Sequence, residues 1–284
     1  SRQSVFKVAG LAALMLGGFG MFSVFTQGHA YRYASEDRWL ATLQPRDEGI
    51  YVSRRFLELK GRPFNGAGDR KKLLIIGDSY AQDVLNALYE AGGAEFYQVS
   101  TAGVEAVCGN IFLPRETFIQ HVSRGDLRMC GVSGLYEDRA LRQRMLEADE
   151  IWFSSNWRGW QASLLPASVD NVKQWSGKPV KVFGAKSFGL VDIKKLLNLS
   201  PVERLSLRNT VDEGVLSINA SILKGLEIDD FIDTQRVLCG DDDGKCSIFL
   251  KSGRLISYDG GHLTKEGALL LGERLVSLDL LDMN

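Results

Sequence analysis

Short apolar runs alternating with helical stretches set the narrowest limit on what this 284-residue chain can fold into. The runs are Lys72–Gly77, Glu95–Val99, Glu150–Ser154 and Val180–Gly184, with a further strand near Phe231–Asp233. Lys72-Leu73-Leu74-Ile75-Ile76-Gly77 has no polar alternation, as expected of a strand covered on both faces. Between the runs lie helical patterns at Ala81–Glu90, Tyr136–Ala148, Leu164–Trp175 and Val202–Leu226. Alternation of this kind predicts a parallel sheet covered by helices. Internal repeats and low-complexity tracts are absent from the sequence.

The N-terminal end follows another rule. Val8 to Phe25 is an eighteen-residue stretch without a charge, which as a helix spans roughly 27 Å, enough to cross a bilayer. Its glycines, Gly10, Gly17, Gly18 and Gly20, weaken a soluble helix but suit close packing in lipid. Arg2 and Lys7 precede the stretch, so the positive-inside rule places the N-terminus in the cytoplasm and everything after about residue 28 outside. A buried core helix and a cleaved signal peptide are the alternatives; Thr26-Gln27-Gly28-His29-Ala30 is a poor match to a small-residue cleavage site. The chain does not begin with Met, so it is expected to come from a longer protein in which this helix is the last of several. Residues 29–70 are polar, with Gly61, Pro63, Gly66 and Gly68 near the end, and are expected to be an extracytoplasmic linking region with a helix around Tyr51–Leu59. Residues 71–284 would then form the folded domain.

Composition narrows function mainly by exclusion. Lys and Arg number 34 against 35 Asp and Glu, a net charge of −1. That balance gives no electrostatic footprint for nucleic acid. Cys108 and Cys130 are 22 positions apart, and Cys239 and Cys246 are 7 apart. Outside the cytoplasm disulfides are expected, and of the three possible connectivities proximity favours these two pairs. Neither spacing fits a zinc site, so no metal is expected. His29 and His121 have no catalytic context and read as linker and surface residues.

Ser79, in Gly77-Asp78-Ser79-Tyr80-Ala81, follows the first strand at the start of a helix. Side chains at the carboxyl ends of strands face the ligand crevice of an open α/β sheet, and a helix N-terminus favours developing negative charge. Ser79 could equally be a plain helix N-cap. The far end carries Tyr258-Asp259-Gly260-Gly261-His262-Leu263-Thr264. A carboxylate three residues before a histidine can accept its Nδ1 proton and leave Nε2 to face a hydroxyl. An Asp-Gly surface turn is the plain reading of that segment alone; together the two motifs point to a serine nucleophile with its base.

With these residues the chain resembles the SGNH or GDSL-type serine hydrolases. Gly77-Asp78-Ser79 matches the family's first block, and Asp259 with His262 matches the last. The resemblance implies a three-layer α/β/α, flavodoxin-like fold with a central parallel sheet. It also implies an oxyanion hole built from Ser79, Gly103 and Asn156, with Asn156 outside its usual Gly-x-Asn-Asp context. The tail is similar to the C-terminal SGNH domain fused to membrane acyltransferases of family 3, where a cysteine-bounded loop precedes the Asp-x-x-His-Leu ending. That narrower resemblance covers about residues 71–284. It implies an upstream acyltransferase membrane domain in the same polypeptide, in the bacterial inner membrane, with the SGNH domain in the periplasm. No cofactor would be bound; acetyl would come from cytoplasmic acetyl-CoA through the membrane domain and pass by way of Ser79 to a sugar hydroxyl of a cell-surface polysaccharide such as lipopolysaccharide O-antigen. Trp157, Arg158, Trp160 and Gln161 are candidates for a sugar platform, with core packing the plainer reading of the tryptophans. A carbohydrate or peptidoglycan O-acetylesterase with the same triad, and a non-catalytic glycan-binding module, are the alternatives. The segment 112–134 inside the first cysteine loop is assigned neither to the acceptor pocket nor to decoration.

Overall fold

A computed structural model describes residues 2–28, 30–35, 37–66, 68–130, 135–240 and 244–281. His29 and Asp241, Asp242 and Asp243 lie outside them, as do the last residues of the 112–134 segment. Among the described residues seven strands form: β1 (Lys71–Gly77), β2 (Tyr97–Gly103), β3 (Glu150–Ser154), β4 (Val180–Phe183), β5 (Arg208–Thr210), β6 (Phe231–Ile232) and β7 (Lys245–Ser247). Five make one all-parallel sheet in the order β2-β1-β3-β4-β6. Chain order reverses between β1 and its two neighbours, and that reversal opens the ligand crevice beyond their carboxyl ends. β5 and β7 form a separate antiparallel pair.

The helices are α1 (Arg2–Phe25), α2 (Arg38–Ala41), α3 (Pro45–Glu58), α4 (Ser79–Glu90), α5 (Arg115–Phe118), α6 (Arg139–Glu147), α7 (Gly159–Ser176), α8 (Ile193–Leu197), α9 (Pro201–Ser206), α10 (Glu213–Gly225), α11 (Thr234–Cys239) and α12 (Lys265–Ser277). Strand pleat sorts the core into two layers. Leu73 and Ile75 of β1 face α4 and α12, packed with Val84, Leu88, Leu271 and Leu275. Leu74 and Ile76 face the other way, with Leu141 and Met145 of α6 and Leu165, Val169 and Val172 of α7. The result is a parallel sheet between two helical layers, the predicted α/β/α class.

α1 is 24 residues long, apolar enough to cross a membrane, and has no buried residue. The core-helix alternative therefore fails, since Phe6, Leu14, Leu16 and Phe19 are all exposed. The segment expected to be a linking region is packed from α2 onward: Leu40, Val52, Phe56 and Leu59 are buried, and Phe56 sits in the α4 layer. Thr101 N–H of β2 donates to Leu59 O and Gly61 N–H to Thr101 O, so this segment covers the open edge of β2.

Several element boundaries differ from the sequence reading. The helix predicted over Val202–Leu226 is two helices, α9 and α10, interrupted by β5. Asp212 caps the second by accepting from Gly214 N–H, and β5 exists because β7 pairs with it. The second strand starts at Tyr97, not Glu95, behind a 3₁₀ turn at Gly93–Glu95. Gly103 is consequently the last residue of that strand. α7 starts at Gly159, so Trp160 and Gln161 lie on the helix. Ser79 is the first residue of α4 and not its cap; Asp78 accepts from Tyr80 N–H and takes that part.

Candidate active site

β1 ends at Gly77, where packing leaves no room for a side chain: a Cβ there would stand 1.7 Å from Ser154 O and 2.8 Å from the Ala81 Cβ. This close approach brings the ends of β1 and β3 and the start of α4 together, with Ser79 half-buried on the first turn. Asp78, buried beside it, accepts from Tyr80 N–H with Oδ1 and from Asn156 N–H with Oδ2, both at 2.9 Å. One carboxylate thus caps the helix that Ser79 begins and ties it to Asn156, two residues past the end of β3. Burial raises the Asp78 pKa, opposed by those two hydrogen bonds.

The other half of the site is the turn before α12. Gly260 has φ +94°, and a Cβ there would meet Gly189 O at 2.1 Å, so the turn needs glycine. Its N–H donates to Ser257 Oγ, and its carbonyl accepts from Phe188 N–H. Asp259 Oδ1 accepts from the N–H groups of Gly261 and His262 at 2.9 and 2.7 Å. Thr264 then caps α12 by accepting from Gly267 N–H. Asp259 Oδ2 lies 2.7 Å from His262 Nδ1, and His262 Nε2 lies 2.8 Å from Ser79 Oγ. Burial alone would raise the Asp259 pKa, but the hydrogen bonds from His262 and Gly261 outweigh it and hold the carboxyl at about 2. At neutral pH Asp259 is therefore ionised and only accepts, so Nδ1 carries the proton and Nε2 is free to accept from the serine hydroxyl. The hydrogen bond to Asp259 raises the His262 pKa against the opposing effect of burial.

Of the other predicted residues, Gly103 stands directly across from Gly77 in the β1–β2 register. Asn156 is exposed at the end of β3, oriented by its backbone bond to Asp78. Trp157 is a correction: it is 1% exposed and donates through Nε1 to Phe183 O, so it belongs to the core and offers no face to a sugar. Gln161 is likewise buried, donating to Ala106 O. Arg158 is exposed. Trp160 is partly buried, its ring stacked on His121 at 5.4 Å and on Phe118 at 6.3 Å. It packs against Gly109, inside the first cysteine loop.

Disulfides join Cys108 to Cys130 and Cys239 to Cys246. The first loop walls a cavity of about 450 Å³ that opens beside Gly103 and is lined by Glu105, Phe112, Phe118, Tyr136 and Arg142 among others. Asn110, at the base of the loop, donates to Ile76 O of β1 and accepts from Tyr136 OH, which fixes the loop to the sheet next to Ser79.

Sequence reading missed the parts of this site that depend on long-range contact. Asp83, Lys186 and Asn110 carry no motif. For Asp83 there was a signal: an aspartate one turn after Ser79, on the helix face otherwise given to Val84 and Ala87.

Residues 195–277 match the family model described as SGNH domain (fused to AT3 domains). That segment holds Asp259, His262 and the second disulfide; Ser79, Gly103 and Asn156 precede it. The chain resembles a solved structure described as the periplasmic domain of the Salmonella ser. Paratyphi A lipopolysaccharide acetyltransferase, with a TM-score of 0.52 and 13% identity, over 89% of this chain and 99% of that one. At that identity the likeness is one of fold. No curated protein matches significantly.

Proposed function

We propose that this chain is the extracytoplasmic part of an O-acetyltransferase that passes an acetyl group through Ser79 to a sugar hydroxyl of a cell-surface polysaccharide. The observation that carries the reading is the chain of two hydrogen bonds from Asp259 through His262 to Ser79, at 2.7 and 2.8 Å, at the carboxyl end of β1.

In the first step Ser79 Oγ attacks the donor carbonyl, its proton passes to His262 Nε2, and the donor's leaving group takes that proton away. Ser79 is left as an acetyl ester. In the second step the sugar hydroxyl loses its proton to Nε2 and attacks the ester, and the proton returns to Ser79 Oγ. Asp259 holds the imidazole in the right tautomer and stabilises it when charged. The N–H groups of Ser79 and Gly103 and the side-chain amide of Asn156 stabilise the oxyanion, each donor worth about 100- to 1,000-fold in rate.

The cavity beside Gly103 is where the acceptor sits in this reading, since aromatic faces with carboxylates and a guanidinium suit a sugar ring and its hydroxyls. Trp160, stacked on Phe118 of the cavity lining, backs that wall. The donor acetyl would come from cytoplasmic acetyl-CoA through an AT3 membrane domain of the same polypeptide, with α1 crossing the bacterial inner membrane and the folded part in the periplasm. The matched family, an SGNH domain fused to AT3 domains, supports the membrane acyltransferase partner, and the fold likeness to the periplasmic domain of a Salmonella lipopolysaccharide acetyltransferase supports a periplasmic site and a lipopolysaccharide acceptor.

Hydrolysis is the second reading, favoured by one observation: the Asp259 side chain is 38% exposed, so water reaches the site when no sugar covers it. Both are tested with the full chain in detergent, an activated acetyl ester as donor, and candidate polysaccharides added in turn. Acetyl found on the sugar at the expense of acetate, and lost in Ser79→Ala and His262→Ala, supports transfer. Acetate alone with every acceptor supports the esterase, and ester turnover that survives Ser79→Ala removes both.

A further inference from the structure

Next to the segments that carry Ser79 and His262 lies a buried ion pair that the two-step mechanism does not use. Asp83 of α4 and Lys186, in the loop after β4, meet at 2.7 Å, with side chains 1% and 3% exposed. Burying two charges is costly, and apolar residues of similar volume would often serve stability as well or better. The contacts of the pair suggest what it is for. Asp83 Oδ1 accepts from Leu263 N–H at 3.2 Å, the residue after His262. Lys186 Nζ lies 3.7 Å over the Tyr80 ring, and Tyr80 OH donates to Lys186 O at 3.0 Å. Tyr80, next to Ser79 in the chain, presents its ring edge-on to His262 with centroids 6.0 Å apart. These contacts tie the pair to the segments that carry Ser79 and His262.

We infer that Asp83 and Lys186 are positioning residues for the Ser79–His262 pair, clamping the His262 turn to the helix of Ser79 and placing a second carboxylate near the imidazole. The inference rests on the reading of Ser79 as nucleophile and His262 as base. Burial raises the Asp83 pKa, and the ammonium of Lys186 opposes that rise. In its ionised form Asp83 favours the imidazolium that His262 must become during each transfer, and Lys186 opposes it to a smaller degree. The other groups facing His262 are Asp259 and Tyr258 from its own turn, and Asp78 and Tyr80 from the start of α4.

The variants separate charge from packing. Asp83→Asn keeps an oxygen for Leu263 N–H and removes the negative charge. Lys186→Met lets Asp83 protonate, which removes the same charge by another route. In Asp83→Asn/Lys186→Met no buried charge is left unpaired, so this variant keeps the question open to measurement should a single variant fail to fold. The His262 ring is followed by NMR titration of the full chain in detergent, assigned against His262→Ala, alongside hydrolysis of an acetyl ester across pH.

The expected result is a His262 midpoint lowered by about half a pH unit or more in Asp83→Asn, and lowered by less in Lys186→Met and in the double variant, which also lose the opposing charge of Lys186. The acidic limb of hydrolysis should move with it. A midpoint unmoved in folded Asp83→Asn and in the folded double variant overturns the inference, whatever the loss of melting temperature. Failure of the underlying reading looks different: hydrolysis would be indifferent to Ser79→Ala, while the shifted His262 midpoint would still support the placement of the second carboxylate.

Discussion

Replacing Asp78 tests whether one buried carboxylate couples the nucleophile's helix to the oxyanion donor. In Asp78→Ala the Tyr80 N–H loses its cap, which costs about 1 kcal/mol. The Asn156 N–H loses its partner in a half-buried place, for about 1 to 2 kcal/mol more. A total of about 2 to 3 kcal/mol lowers the melting temperature of a domain this size by roughly 4 to 10 °C. Freed from Asp78, the Asn156 amide should also lose its aim, at a cost approaching the 100- to 1,000-fold assigned to one oxyanion donor. Asp78→Ser divides the two effects, since a serine hydroxyl can still accept from Tyr80 N–H but is too short to reach Asn156. It should recover about half of the lost stability and little of the lost kcat. Acetyl ester hydrolysis by Asp78→Ala, Asn156→Ala and the double variant completes the test, because residues acting through one donor are not additive. The double variant should be no slower than the slower single one. Wild-type kcat in Asp78→Ser, or fully multiplied losses in the double variant, would refute the coupling.

Other outcomes follow from the same geometry. The base works unprotonated and its pKa is raised, so hydrolysis should fall as pH drops through a midpoint above the ordinary 6.5; a midpoint at or below that value contradicts the Asp259 bond. Asp259→Asn should lower both that midpoint and kcat, the latter by about 100- to 10,000-fold, read from the same pH series. Gly77→Ala should cost about 3 kcal/mol or more, since the atoms it meets are the Ser154 carbonyl and the Ala81 Cβ; an unchanged denaturation midpoint would show that β1 and β3 can part there. Replacing Cys108 and Cys130 by serine should remove about 3 kcal/mol of loop constraint and impair transfer to a sugar more than hydrolysis, and equal losses in both would detach the cavity from the acceptor.

The sheet was legible because parallel strands covered on both faces are continuous apolar runs, as in Leu73-Leu74-Ile75-Ile76. The placement of Ser79 and His262 was legible because each depends on neighbours in the chain: Ser79 on the turn that follows β1, and His262 on an aspartate three residues earlier. What escaped depends on residues far apart. β5 is three residues long and forms only against β7, so nothing local breaks the apolar pattern from Val202 to Leu226. Trp157 stayed a sugar-platform candidate beside core packing because no spacing reveals that its Nε1 reaches Phe183 O. The Asp83–Lys186 pair joins segments about a hundred residues apart, and the packing of α3 on α4 was hidden by its polar outer face.

The central claim is that Ser79 carries the acetyl group, and trapping that ester is the most direct test. The full chain in detergent would be mixed briefly with an activated acetyl donor, quenched in acid and digested for mass spectrometry, beside Ser79→Ala and His262→Ala. The account predicts one acetyl group on the peptide containing Ser79, absent from both variants and released when a sugar acceptor is added before the quench. Turnover of the donor with Ser79 unlabelled at every time point, and with Ser79→Ala as active as wild type, would contradict it.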